Sequence, residues 1–250
     1  MNIVLLIILL ILMIYVCGIR GIKLFLSILV NFMLLIITFY IITIGINPII
    51  ISLITCYIIC RIVLYKVNGD NIKTHISMKS IIIVLLVLII SIIIMTYLSR
   101  IAGFGYESYE EINMFSYDVG INFTNIAIAL ILISLIGATV DSSIAISSAL
   151  YEVYENNKHL SDKELFKSGM NIGKDILCTT TNTLLFAFLS DFMTLIIWFS
   201  TSKYSLLDVV NTKVFSSEFI KILFSATGCV LVIPISAYVT TKMLKKCTSF

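Results

Sequence analysis

An all-α, polytopic membrane bundle is the fold class the sequence predicts, and three observations predict it. Hydrophobic residues fill 60% of the 250 positions and charged residues only 12%. Mean hydropathy is +1.10. The apolar residues also gather into runs of roughly 17 to 25 residues, the length at which a helix crosses a bilayer. A water-soluble domain of this size needs far more polar surface to stay dispersed. Seven transmembrane helices in a single domain, residues 1–250, are therefore expected.

The seven runs are Ile3–Ile19, Leu24–Gly45, Pro48–Tyr65, Ser80–Leu98, Phe123–Ala149, Ile176–Phe199 and Phe219–Thr241. The first is short and has neither a basic stretch before it nor a small-residue cleavage site ahead of Arg20 and Lys23. It reads as a retained helix, not a cleaved signal. Asn31, and Asn47 with Pro48, interrupt the second and third runs, and VNGDN (Val67–Asn71) is an Asn-Gly turn into the fourth. The acidic stretch Gly103–Gly120 carries Ser108 and Glu111 in capping-box spacing, which starts a short helix burying Ile112 and Phe115 in the interface.

The long fifth run is followed by LSDKELFKSGMNIGKD, from Leu160 to Asp175. Ser161 caps while Glu164 reaches back, and Leu160 staples against Leu165, so a helix begins at Asp162. Its apolar side (Leu165, Phe166, Met170, Ile176) with lysines around it suits a helix lying on the inner leaflet before the sixth span. Thr201–Ser217, with Tyr204, Asp208 and Lys213, is a second outer segment lying flat. Glu218 opens the seventh run at the positive end of the helix dipole, and Pro234 predicts a kink near Val230.

Alternating the loops between sides puts Arg20, Lys23, Arg61, Lys66, Lys73, Lys79 and seven further lysines together, thirteen of the 17 basic residues. The positive-inside rule places that set in the cytoplasm, with the N-terminus outside and the C-terminus inside. Topology thus accounts for the positive part of the +3 net charge. No basic stripe interleaves with aromatics, and nucleic acid is not an expected partner. The six cysteines form neither a disulfide framework nor a Cys/His zinc spacing, so no metal or cofactor is expected.

In GATVDSSIAISSALYE, Gly137 to Glu152, the residues Ser134, Ala138, Asp141, Ala145, Ser148 and Glu152 recur at spacings of four and three, forming one helical stripe beside Gly137 and Ser142. The small residues Ser134, Gly137, Ala138, Ala145 and Ser148 read as a helix-packing seam. Asp141 needs another explanation, because an ionised carboxylate at membrane depth costs at least ~2.5 to 3.5 kcal/mol. The sixth run brings TTTNT, Thr179–Thr183. With inner boundaries near Ala149 and Ile176, Asp141 lies about 12 Å deep and Asn182 and Thr183 about 9 to 11 Å deep at 1.5 Å per residue. Asp141, Asn182, Thr183 and Ser142 are then expected to share a polar site that binds a proton or cation. Asp191, near the outer boundary, is not expected to take part.

An intramembrane enzyme is disfavoured. Both histidines, His75 and His159, fall in loops on the basic side, there is no H-E-x-x-H motif, and Asp118 lies about 35 Å from Asp141 along one helical path.

The stretch from Ile136 to Phe199, with GATVDSSIAISSALYEVYENN, LSDKELFKSGMNIGKDI and TTTNTLLFAFL, resembles the bacterial YibE/F-like membrane proteins, and the resemblance extends through Glu218 to Pro234 and back to NGDNIKT at Asn68–Thr74. In that family an anchored extracytoplasmic β-rich domain often precedes the membrane domain. This chain resembles the short YibF-type form, which implies a separate YibE-type partner and residence in the bacterial cytoplasmic membrane. A fainter similarity links Gly137, Val140, Asp141, Ile144 and Glu152, then Asp175, Asn182 and Thr183, to the helices of SecD/SecF and resistance-nodulation-division permeases. That similarity implies proton-coupled work, with two copies in a homodimer restoring a two-half arrangement. The expected function is a transporter or ion-coupled permease component. The competing expectation is a non-transporting anchor or assembly factor for the YibE-type partner.

Overall fold

The computed structural model describes residues 2–101 and 122–248, and no strand occurs among them. The helices are α1 (Asn2–Cys17), α2 (Ile19–Thr43), α3 (Pro48–Arg61, whose end widens into a π-helix over Ile62–Val67), α4 (Ile72–Ser99), α5 (Phe123–Asn156), α6 (Asp162–Thr201), α7 (Leu206–Asn211) and α8 (Lys213–Thr248). The expected capping box at Ser108 and Glu111, with Asp118, lies outside the described residues.

The termini of these helices are written locally. Asn47 accepts the Ile49 N–H on its side-chain oxygen at 3.0 Å, and Pro48 at the first helical position lacks only a donor that would have no helical partner. Gly18, at φ +60°, provides the left-handed turn from α1 to α2. At α6 the Ser161 N–H donates to Glu164 Oε2 at 2.9 Å while the Glu164 N–H donates to Ser161 Oγ at 3.4 Å, as the sequence predicts. The same device starts α7 at Ser205 and Asp208.

α5 and α8 lie side by side at the centre, with α4 against both, α3 against α5, and α6 against α8 and α5. α2 packs on α3, and α1 packs on α2. The core runs through Leu64, Ile81, Leu132, Leu135 and Val232, each at most 1% exposed. Leu86, Val87, Ile90 and Ile94 of α4 face outward instead. In lipid the outward apolar faces are already solvated, so cohesion comes from close packing and internal hydrogen bonds.

Among the described residues, five helices are long and apolar enough to cross a membrane: α2, α3 with its π extension, α4, α5 and α8. α6 makes a sixth if its parts, Asp162–Ser190 and Leu195–Thr201, which meet at 44°, form one broken span. Seven spans are not reached by length and apolarity among the described residues. The first run yields only 16 residues of helix, about 24 Å against a hydrocarbon core of about 30 Å. The inner-leaflet helix and the sixth run are also not separate, because nothing between Asp162 and Ile176 breaks the helix. α8 likewise continues through Pro234 as one helix. The far part of α6 is joined to the start of α8 by aromatic packing, with Phe192 and Phe215 edge to face at 5.0 Å.

Candidate functional site

Successive residues on a helix point about 100° apart, so the small and polar residues of α5 divide between faces. The face toward α4 and α8 carries Ser143 and Ser147. The Oγ of Ser236 on α8 lies 3.3 Å from that of Ser143 and 3.0 Å from that of Ser147, and the Oγ of Ser77 on α4 lies 3.2 Å from that of Ser147. All four serines are fully buried. Hydroxyls in such a place must satisfy one another, which fixes the rotation of α5 against both neighbours.

Glycines on the partner helices complete the contact. A Cβ on Gly169 of α6 would stand 2.7 Å from Leu150 Cδ1 and 3.0 Å from Ala237 Cβ. Gly173, one turn on, meets Ile233 side on, and Gly228 of α8 meets Leu135 and Thr139. The close seam of the chain therefore runs through Gly169, Gly173, Gly228 and the serine cluster. The small-xxx-small spacing of Gly169 and Gly173 in GMNIG is the signal in the sequence that finds it.

The stripe predicted as the seam lies on a neighbouring face. Gly137 is exposed, with nothing within 4 Å of where a Cβ would be. Ser134 is exposed but keeps its Oγ 3.0 Å from that of Ser225. Ala138 is buried, and Ala145 and Ser148 are half-buried. Within one chain, then, only the edges of the stripe pack, because the buried face of α5 is turned by about one residue from the predicted one.

Asp141 lies on the open face with Gly137 and makes no hydrogen bond or ion pair to the described residues. Ser142, expected beside it, turns to α8, where its Oγ donates to Cys229 Sγ at 3.6 Å. Asn182 and Thr183 are exposed on α6, and Thr183 directs its hydroxyl to the Thr179 carbonyl at 3.0 Å. Because Gly169 sits beside Leu150, counting along the antiparallel helices brings Asp141 level with Cys178. Asn182 and Thr183 then lie four and five residues further out, about 6 to 8 Å. No hydrogen bond joins either of them to Asp141. The contact pairs Leu150 with Gly169, not with Ile176, and that displaces the relative depths expected from the sequence.

Further along α5 from Asp141, Ile144, Ser148 and Tyr151 line a cleft of about 660 Å³ together with Arg20 and Lys73. Lys73 lies 3.8 Å from Glu152 and 4.6 Å from the centre of the Tyr151 ring. The sequence reading missed this cleft, since its walls come from three separate stretches. Among the described residues, no three His, Cys, Asp or Glu side chains form a set able to hold a metal ion.

No curated protein and no solved structure matches the chain. The family model for YibE/F-like proteins matches residues 5–246. With a match over nearly its whole length and apolar helices that form a bundle, the chain is a membrane protein belonging to the YibE/F-like family.

Proposed function

We propose that the chain is a transporter or ion-coupled permease component in which Asp141 takes up a proton or cation from the open face of α5. One observation carries this reading: the Asp141 carboxylate, on a helix that spans the membrane, has no partner among the described residues, while every buried serine of the same helix has one. A carboxylate kept at that depth without a structural bond is costly, and exchange with a mobile ion gives it a use. Asn182 and Thr183, exposed further out on α6, are the residues proposed to take the ion next. The topology proposed with it counts the short α1 and the bent α6 as spans, seven in all, with the N-terminus outside and the C-terminus in the bacterial cytoplasm; alternating the loops then puts thirteen of the 17 basic residues on the inner side, which supports it. Proton uptake into vesicles, compared between the native chain and Asp141→Asn, tests the reading.

A second reading is favoured by Gly137. An open glycine beside Ser134 and Ala138 is the surface a neighbouring helix packs against most closely, which suits an anchor or assembly factor for a YibE-type partner, or a homodimer. Co-purification of such a partner that survives Asp141→Asn but not Gly137→Leu, with no flux in any form, selects it.

A further inference from the structure

A cleft of about 410 Å³ opens between α2 and the π-helical end of α3. Lys23, Leu26, Ser27 and Val30, which repeat along one side of α2, form one wall, and Ile62 and Lys66 form the other. Both lysines stand at the same end of the bundle, Lys23 just after the turn at Gly18 and Lys66 just before the turn at Gly69. From them the walls descend toward the middle of the bilayer as apolar surface, with Val30 about 10 Å beyond Lys23 along the helix. No carboxylate lines the cleft, and neither lysine has an ion-pair partner among the described residues. In the neighbouring cleft Lys73 and Asp70 do have partners: Glu152 lies 3.8 Å from Lys73, and His75 lies 2.8 Å from Asp70.

Two unpaired ammonium groups above an apolar slot match a molecule with an anionic head and a hydrocarbon tail lying along the helix axis. We infer that this cleft is a binding site for an anionic phospholipid, its phosphate held between Lys23 and Lys66 and an acyl chain seated against Leu26, Val30 and Ile62. Free phosphate would use the lysines alone and leave the apolar wall without a role. A zwitterionic lipid brings its own cation to the lysines and loses the attraction. The site is independent of Asp141, which lies on α5.

Native mass spectrometry of the full chain in detergent micelles tests the inference, with phosphatidylglycerol, phosphatidylcholine or inorganic phosphate added. The native chain is expected to retain one phosphatidylglycerol in preference to phosphatidylcholine. The double variant Lys23→Gln/Lys66→Gln is expected to lose that retention by on the order of tenfold. Lys242→Gln, an exposed lysine elsewhere, should leave it unchanged, and Val30→Trp, which fills the slot with both lysines intact, should weaken it. Equal retention of the two lipids by the native chain, undiminished retention by the double variant or by Val30→Trp, or displacement of the lipid by equimolar inorganic phosphate would each overturn the inference.

Discussion

Gly169 of α6 stands so close to Leu150 of α5 that a methyl group on the glycine would lie 2.7 Å from the leucine Cδ1, with Ala237 of α8 closing the other side at 3.0 Å. This three-helix contact sets the register of α6. A branched side chain cannot enter without displacing Ala237, which has no rotamer to change. Gly169→Val is expected to destabilise the fold by about 1 to 3 kcal/mol, measured by thermal unfolding in detergent. Gly137→Ala, where the Cβ meets open space, should be neutral or stabilising by up to about 1 kcal/mol.

The serine cluster makes a prediction of a different kind. Ser147 and Ser236 lie with their hydroxyls 3.0 Å apart and fully buried. Hydroxyl pairs between membrane helices couple weakly, so a double-mutant cycle with Ser147→Ala and Ser236→Ala should give a coupling of roughly 0.6 kcal/mol. Additive losses would mean the contact is only steric.

Asp208, outside the spans, should show its cap in a titration. Its Oδ2 accepts from the Ser205 hydroxyl at 2.6 Å and from the Ser205 N–H at 3.0 Å, and these bonds to the charged form hold its carboxyl below the usual carboxylate value. Because the folded value is the lower one, the cap's contribution is fully present above the ordinary carboxylate pKa and is lost as pH falls through the depressed one. Carboxyl NMR should therefore place the Asp208 midpoint below that of an exposed aspartate, and Ser205→Ala should raise it. A midpoint unmoved by Ser205→Ala would remove the cap from the account.

Much of the architecture is legible in the sequence because run length, caps and turn residues are local signals. Ser161 with Glu164 gives the start of α6 to the residue, and Pro48 after Asn47 gives the start of α3. The rotation of α5 is not legible from α5 alone. Small residues occur on both of its sides, Ser143 and Ser147 on one and Gly137 and Ala145 on the other, and only the positions of Ser236 and Gly228 on α8 decide which side is buried. Asp141 is recognisable as an anomaly from composition. Its companions are not, because their depth depends on where α6 enters the bundle, which the Leu150–Gly169 contact fixes and hydropathy does not.

Ser142 and Asp141 are neighbours in sequence with opposite surroundings, so their substitutions should separate. Ser142→Ala removes only a bond to Cys229 and is expected to leave ion flux within about twofold, with a stability loss of about 1 kcal/mol. Flux in vesicles and thermal unfolding, measured on the same preparation, check both parts. A large loss of flux at full stability would put Ser142 back into the ion site.

The central claim is that Asp141 exchanges an ion. Its most direct test is proton uptake into liposomes containing the purified chain, followed with an entrapped pH-sensitive dye under an imposed gradient. The native chain should acidify the lumen faster than empty liposomes. Asp141→Asn, equally folded and equally incorporated, should fall to the empty-liposome rate, and Asp141→Glu should retain part of the activity. Uptake by Asp141→Asn at the native rate would contradict the claim.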